Sequence, residues 1–113
     1  MTQISSHILD TALGQPAAEV VVTLQQQLQD DWLMLGSAAT DADGRISDFT
    51  GTDEALPAGT YRLTFYVGDY HEQLGARGFY PQIDVTFEIG GDGQHYHVPL
   101  LVNPYGYSTY RGS

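Results

Sequence analysis

Histidine, tyrosine and arginine are concentrated at the C-terminal end of the sequence. The segment HYHVPLLVNPYGYSTYRGS, residues 95–113, contains two histidines, four tyrosines and one arginine. These side chains are titratable or form hydrogen bonds, and their concentration in one segment favours a bound ligand or a catalytic site. The alternative is an aromatic edge that packs in an oligomer.

His95 and His97 are predicted to face away from the hydrophobic core. Side chains two residues apart in a strand share a face. The alternate positions make the better core face: Tyr96, Val98, Leu100 and Val102. The same alternation puts Ser108 and Tyr110 together on one face of the last strand. Polar, titratable groups on an outward face favour a bound ligand or an interface.

The two neighbouring histidines can also be interpreted as metal ligands. Histidines at i and i+2 of a strand can share a cation, and His7 or His71 would then supply the third ligand. No third ligand is fixed by spacing, however. We therefore expect neither a metal ion nor a cofactor. A single histidine in a strand, such as His7, is more often a structural residue than a catalytic one.

Arg45 follows a short acidic turn. The segment Asp41-Ala-Asp43-Gly44 lacks the calcium-loop pattern, because its glycine is fourth rather than sixth and the twelfth position is Thr52 rather than Glu. It predicts a tight hairpin turn, with Asp43 and Gly44 at positive φ, that delivers Arg45 to the next strand. There the guanidinium would either form a surface ion pair or bind an anionic or carbonyl-rich ligand.

The composition excludes several classes of function. The 113 residues include 14 Asp and Glu against four Arg and no Lys, a formal net charge of −10. Such a chain repels phosphate backbones and anionic lipid, so neither nucleic acid nor a membrane is expected as a partner. Without cysteine, thiolate catalysis and Cys-ligated metal sites are excluded. No apolar run approaches the roughly 20 residues of a membrane helix, and no export signal is recognisable, so a cytoplasmic location is expected.

Short apolar segments separated by glycine, proline and aspartate predict an all-β fold. Seven segments have the pattern of strands: Gln3–Asp10, Val20–Leu24, Trp32–Ala38, Tyr61–Val67, Gln82–Ile89, His95–Val102 and Tyr107–Arg111. Alternating strands at this spacing favour a β-sandwich, and residues 1–113 are expected to form one domain. Helix is expected at most at Asp53–Leu56 and Asp69–Gly75, and Gly90–Gly93 is expected to be a hairpin turn.

Three separated motifs resemble one known family. SSHILDTALGQPA near the start, TDADGR in the middle and HYHVPLLVNPYGYSTYRGS at the end are similar to motifs of the transthyretin-related 5-hydroxyisourate hydrolases. The ending YRGS is the most specific of them, because it separates these enzymes from transthyretin proper. The resemblance covers essentially the whole chain, with the motifs in the expected order.

The resemblance implies a fold, an assembly and a reaction. The fold would be a prealbumin-like (transthyretin-like) β-sandwich of two four-stranded sheets with one short helix. The assembly would be a homotetramer, a dimer of dimers, with active sites in a central channel. The reaction would be hydrolysis of 5-hydroxyisourate, the unstable product of urate oxidation in purine catabolism, to 2-oxo-4-hydroxy-4-carboxy-5-ureidoimidazoline. The alternative is a transthyretin-like carrier of small molecules without turnover.

The resemblance also implies the site residues. The positions that match the family's catalytic residues are His7, Arg45, His97 and Tyr110. The substrate-binding set would be His7, Arg45, Ser108, Tyr110 and Ser113. His7 and His97 would act as the general base and its partner, in either order, while Arg45 and Tyr110 would stabilise the oxyanion.

Overall fold

Two β-sheets packed face to face form the structure, a computed structural model that describes residues 4–52 and 54–112. The strands are β1 (Ile4–Asp10), β2 (Gln15–Pro16), β3 (Val21–Leu28), β4 (Asp31–Ala39), β5 (Arg45–Ile46), β6 (Gly59–Phe65), β7 (Ile83–Ile89), β8 (Tyr96–Asn103) and β9 (Gly106–Thr109). The helix α1 spans Val67–Gln73. Within the described residues, no helix is long and apolar enough to cross a membrane.

The predicted sandwich of two sheets with one short helix is confirmed. The first sheet has the strand order β2-β1-β8-β9, with β5 also paired to β1, and the second has the order β4-β3-β6-β7. β1 and β8 run parallel, with Ile4 opposite Tyr96 at one end. The first sheet has five strands rather than the expected four, because β2 and β5, of two residues each, both pair with β1.

Alternation along the strands puts the core where the sequence predicts it. Along β1, buried and half-buried residues alternate strictly from Ile4 to Asp10. The residues of β8 that belong to the hydrophobic core are Tyr96, Val98, Leu100 and Val102, and Pro99 on the other face is buried as well. The core residues of β8 belong to one cluster with apolar residues of the second sheet, among them Leu24, Leu63 and Phe65. Each fully buried side chain of this size contributes about 1.5–3 kcal/mol, so the core fixes which face of β1 and β8 turns outward.

The helix begins two residues earlier than the sequence predicts. It spans Val67–Gln73 instead of Asp69–Gly75, and the strand predicted over Tyr61–Val67 ends at Phe65. Val67 is buried at the start of the helix, and its apolar side chain therefore continues the alternating pattern of the strand. The strand-like pattern therefore extends beyond the strand itself.

The other predicted helix does not form in the part of it that the structure describes. Residues 54–56 are not helical, and Asp53 lies outside the described residues. The preceding loop is held by a side chain instead, because Asp48 Oδ1 accepts hydrogen bonds from the backbone N–H groups of Thr50 and Gly51. Short polar side chains of this kind compete with helical hydrogen bonds.

Two turns connect different sheets, where the sequence predicts hairpins. The turn that ends at Gly44 leads from β4 in the second sheet to β5 in the first, and residues 90–93 lie between β7 and β8, which also belong to different sheets. Gly44 has a φ of 74°, whereas Asp43 does not adopt a positive φ. Turn chemistry is local, and the sheet that the chain enters next depends on long-range packing.

Strand ends differ from the predictions by a few residues. β3 continues to Leu28, beyond the predicted end at Leu24, because its glutamines pair with β4. β9 ends at Thr109, so Tyr110 and Arg111 lie just past the strand. Gln3, the predicted start of the first strand, lies outside the described residues.

Candidate active site

Strand register brings three of the predicted catalytic residues to the outward face of the first sheet. β1 lies between β5 and β8, and His7 is paired with Arg45 on one side and Pro99 on the other. Two residues earlier in the pairing of β1 with β8, Ser5 is opposite His97. Paired residues point to the same side of a sheet, so all of these side chains leave the core together. We call Ser5, His7, Arg45 and His97 the basic face.

Arg45 reaches the basic face through a tightly fixed turn. Asp41 Oδ1 accepts a hydrogen bond of 3.0 Å from the backbone N–H of Arg45, and the Ile8 N–H donates to the Gly44 carbonyl over 2.8 Å. A Cβ at Gly44 would lie 2.5 Å from the Ile8 carbonyl oxygen. Since Gly44 also has positive φ, a larger residue there would push β5 away from β1. The turn therefore holds Arg45 in register with His7.

The guanidinium of Arg45 is exposed and is not neutralised by the residues around it. In residues 4–52 and 54–112, no Asp or Glu side chain forms an ion pair with it. Of the two interpretations of Arg45, the surface ion pair is therefore not realised in the described structure. A guanidinium that forms no ion pair within the described residues is suited to an oxygen-rich ligand.

His97 is half-buried and held by a neighbouring hydroxyl. Its Nδ1 lies 2.8 Å from Ser5 Oγ. Burial lowers the pKa of His97 below its ordinary value, and the positive charges of Arg45, His95 and His7 lower it further. Both causes penalise the imidazolium, so His97 is neutral near pH 7 and keeps a lone pair for a proton. This protonation state is the one that a general base requires.

The chain segment after β9 packs against His97. The N–H of Gly112 donates a hydrogen bond of 2.8 Å to the His97 carbonyl, in an isolated antiparallel bridge. A Cβ at Gly112 would lie 2.6 Å from Cδ2 of the His97 ring and 3.2 Å from Cγ of Pro99. The absence of a side chain at position 112 is therefore what lets the backbone lie against the ring.

The remaining predicted residues are not gathered around His97 in the same way. Ser108 pairs with Leu101, on the outward side of the sheet. Tyr110 is 57% exposed and borders a groove of about 260 Å³ at the open edge between the two sheets, beside Val85 and Phe87. Ser113 lies outside the described residues.

Ser5 and Gly112 are contacts of His97 that the sequence does not reveal as functional. Alternation does place Ser5 on the same face as His7. Its contact with His97 depends on the parallel pairing of two strands, which joins residues 92 positions apart. The signal for Gly112 was the YRGS motif, which marks the residue without giving its packing role.

The alternative metal site lacks a third ligand beside its two neighbouring histidines in the described residues. Ser5 Oγ lies 2.8 Å from His95 Nε2 and 2.8 Å from His97 Nδ1, so the two imidazoles meet on a hydroxyl. His71, one of the proposed third ligands, belongs to α1 and is 2% exposed, with its ring packed against Gly78. Among the residues that the structure describes, no group of three or more His, Cys, Asp or Glu is arranged to hold a metal ion.

A concavity of about 520 Å³ beside α1 is chemically different from the basic face. Its lining includes the carboxylates of Glu19, Asp69 and Glu72, and no histidine or arginine. A site with this charge would repel an oxygen-rich or anionic substrate. The candidate active site is therefore the basic face.

Residues 4–112 match the HIUase/Transthyretin family. The chain belongs to this family. The 5-hydroxyisourate hydrolase of Salmonella dublin is 46% identical over 97% of this chain and 80% of its own length. The structure of Klebsiella pneumoniae 5-hydroxyisourate hydrolase is 38% identical and superimposes with a TM-score of 0.86 over 99% of this chain and 100% of that one.

The HIUase/Transthyretin family also includes proteins named transthyretin, and the backbone alone does not separate the two kinds. The crystal structure of transthyretin from Sparus aurata superimposes with a TM-score of 0.91 at 31% identity, over 99% of this chain and 97% of that one. The difference between the hydrolases and the transthyretins of this family therefore has to lie in their side chains.

Proposed function

We propose that this protein hydrolyses 5-hydroxyisourate to 2-oxo-4-hydroxy-4-carboxy-5-ureidoimidazoline. The observation that carries the proposal is the basic face, where the un-neutralised guanidinium of Arg45 lies in register with His7 and influences the pKa of His97. The relatives named 5-hydroxyisourate hydrolase, at 46% and 38% identity, support the same reaction.

The proposed reaction is direct attack by water on a ring carbonyl. The water oxygen bonds to the carbonyl carbon, the ring C–N bond breaks, and that carbon becomes the carboxyl group of the product. The proton that water loses goes to an imidazole and is returned to the leaving nitrogen. With no cysteine in the sequence, direct attack needs fewer groups than a covalent intermediate.

We assign His97 as the general base and His7 as its partner. His97 has the lowered pKa and a fixed Nδ1, which leaves Nε2 to meet the water. Arg45 donates hydrogen bonds to the carbonyl oxygen as it becomes an oxyanion, and this interaction strengthens in the transition state. His7, half-buried between the two, orients the substrate ring or shuttles the proton.

The roles of Tyr110, Ser108 and Ser113 rest on the family pattern. Tyr110 would donate its phenol hydrogen to the substrate, and both serines would bind the ring oxygens. Within one chain Tyr110 borders the groove at the sheet edge, and His97 is not part of the lining of that groove. Its proposed contribution therefore depends on how copies of the chain assemble.

The proposed assembly is a homotetramer, a dimer of dimers with the active sites in a channel. β7 and β9 are edge strands of their sheets, and the groove between them is lined by apolar residues such as Val85, Phe87 and Val98. A second copy pairing at this edge would cover both. The basic face lies open on a single chain, and a facing copy would exclude water from it. A cytoplasmic location stays a prediction.

The decisive experiment follows the ultraviolet absorbance of freshly generated 5-hydroxyisourate. We expect the protein to accelerate its decay well above the spontaneous rate. Arg62→Gln, which changes an arginine of the second sheet, is the matched control for Arg45→Gln and is expected to retain this activity. Decay at the spontaneous rate, with the protein folded, would contradict the proposal.

A carrier is the second candidate, because the transthyretin of Sparus aurata has the higher TM-score of the two structures, 0.91. A carrier would bind a small molecule without consuming it. The same assay distinguishes the two, since a carrier protects or ignores 5-hydroxyisourate, whereas a hydrolase removes it in many turnovers per active site.

A further inference from the structure

We infer that Ser5 is a positioning residue that sets the tautomer of His97, with His95 as its second partner. Ser5 Oγ lies 2.8 Å from His97 Nδ1 and 2.8 Å from His95 Nε2. The inference rests on the proposed function, in which His97 is the general base. It assigns a role to two residues, Ser5 and His95, that the proposed reaction does not otherwise use.

The proton count of a hydroxyl restricts the arrangement. A serine has one proton to donate and lone pairs to accept, so it can donate to only one of the two imidazole nitrogens, and it can accept from the other at the same time. In the arrangement that we assign, His97 Nδ1–H donates to Ser5 Oγ and the Ser5 hydroxyl donates to His95 Nε2. His97 then carries its proton on Nδ1 and its lone pair on Nε2.

This arrangement is the one that makes His97 a base. Nδ1 is already occupied by Ser5, so a water molecule has to meet Nε2. The reverse arrangement would put the proton of neutral His97 on Nε2 and leave it unable to accept another from water. Fixing the tautomer through the other ring nitrogen is a general way to prepare an imidazole for catalysis.

The ring is held on its other edge as well. Cδ2 of His97 faces the backbone of Gly112, where a Cβ would come within 2.6 Å. Ser5 therefore holds the Nδ1 edge and Gly112 the Cδ2 edge. Both restraints leave Nε2 at the free end of the ring.

The next residue, Ser6, provides a matched comparison. It belongs to the same strand but points to the opposite face, where its buried hydroxyl donates to the Val98 carbonyl over 2.7 Å. Loss of that hydroxyl leaves a buried acceptor without a partner, which affects the stability of the fold and not the ring of His97. Substitution of Ser5 therefore tests a positioning role, and substitution of Ser6 tests a structural one.

The test is a measurement of the His97 tautomer by long-range ¹⁵N–¹H correlation spectra of the full-length protein. The His97 signals are assigned by their loss in His97→Asn. We expect Nδ1–H in the wild type and in Ser6→Ala, and a shift towards Nε2–H in Ser5→Ala. An unchanged His97 tautomer in Ser5→Ala would overturn the inference.

Kinetics supply the second readout. We expect Ser5→Ala to lower kcat about tenfold to 10²-fold, with KM changed much less, because substrate still meets Arg45 while the base is misoriented. Ser5→Thr keeps the hydroxyl and is expected to retain most of kcat. A kcat for Ser5→Thr as low as that of Ser5→Ala would count against the inference.

Failure of the inference and failure of the proposed function give different results. If His97→Asn retains wild-type turnover, the proposed function of His97 is wrong, whatever the spectra show. If His97→Asn is inactive while Ser5→Ala keeps both the tautomer and the turnover of the wild type, the proposed function stands and the role of Ser5 is wrong.

Discussion

The outward faces of the two sheets each carry an arginine, and the two arginines are in opposite situations. On the second sheet, Arg62 Nε donates to Gln25 Oε1 over 2.6 Å, and its guanidinium lies 4.1 Å from the centre of the Trp32 ring. On the first sheet, Arg45 lies in register with His7, with no carboxylate paired to it in the described residues. The guanidinium of Arg62 is held by Gln25 and Trp32, whereas the guanidinium of Arg45 is left to bind a ligand.

The histidines show the same contrast. His71 lies in α1 and is 2% exposed, and its Nε2 has no hydrogen-bond partner among the described residues. His97 is half-buried, bonded at Nδ1 by Ser5 and accessible from the outward face. A histidine enclosed by packing contributes to stability, and one restrained along its edges at a surface is prepared for proton transfer. Substitution of matched pairs tests this difference.

The largest effect is expected for His97→Asn. Loss of the general base should lower kcat about 10²–10⁴-fold while the protein stays folded. His71→Asn, the matched change in the packed interior, should lower the midpoint of thermal unfolding and leave kcat close to wild type. The two measurements are turnover of 5-hydroxyisourate and circular dichroism on heating. A similar loss of kcat in both variants would mean that the two histidines do not differ as described.

The next effect is expected for Arg45→Gln. Without the guanidinium the oxyanion loses its charged donor, and kcat/KM should fall about 10²–10³-fold. Arg62→Gln should leave kcat/KM unchanged and cost about 0.5–1 kcal/mol of stability through the lost contact with Trp32. Steady-state kinetics and chemical denaturation check the pair. Equal kcat/KM values for the two variants would remove Arg45 from the site.

A smaller effect is expected for Gly112→Ala. The added Cβ would overlap Cδ2 of His97, so the ring has to move, and kcat should fall by up to about 10²-fold. Gly106→Ala is the matched control in β9, because a Cβ there would make only an ordinary contact, 3.8 Å from Asn103 Nδ2. Wild-type kcat in Gly112→Ala would show that the ring of His97 tolerates displacement.

The smallest effect concerns pH. Because burial, Arg45, His95 and His7 lower the pKa of His97, the base stays neutral to a lower pH than an ordinary histidine. The acid limb of kcat/KM should therefore lie below the ordinary histidine range. Arg45→Gln removes one source of positive charge, raises the pKa of His97 and moves the acid limb to higher pH. Arg62→Gln should leave the acid limb at the wild-type pH. An acid limb that does not move in Arg45→Gln would contradict the influence of Arg45 on the pKa of His97.

Sequence patterns predicted the parts of the fold that depend on local alternation. The buried faces of β1 and β8, and with them the outward direction of His7 and His97, follow from a period of two residues. The position of Arg45 followed from the turn before it and from the family motif.

The rest depends on which strands become neighbours. Ser5 meets His97 because β1 and β8 pair in parallel, and no local pattern encodes that pairing. The turns at Gly44 and at residues 90–93 have hairpin chemistry, but they cross between sheets because the core dictates where each strand packs. The placement of Tyr110 at the groove likewise follows from the end of β9, two residues before the predicted strand end at Arg111.

The parallel pairing of β1 with β8 has a consequence for how the protein is made. The two strands contribute residues 92 positions apart to a single hydrogen-bonded cluster. As the chain leaves the ribosome, β1 emerges before β8 and has to wait, without its main partner, until the residues between the two strands have been synthesised. Closing so long a loop is entropically costly and slows folding. Catalytic competence would therefore arise in the last step of folding, and appearance of activity in a refolding experiment would time the docking of β8.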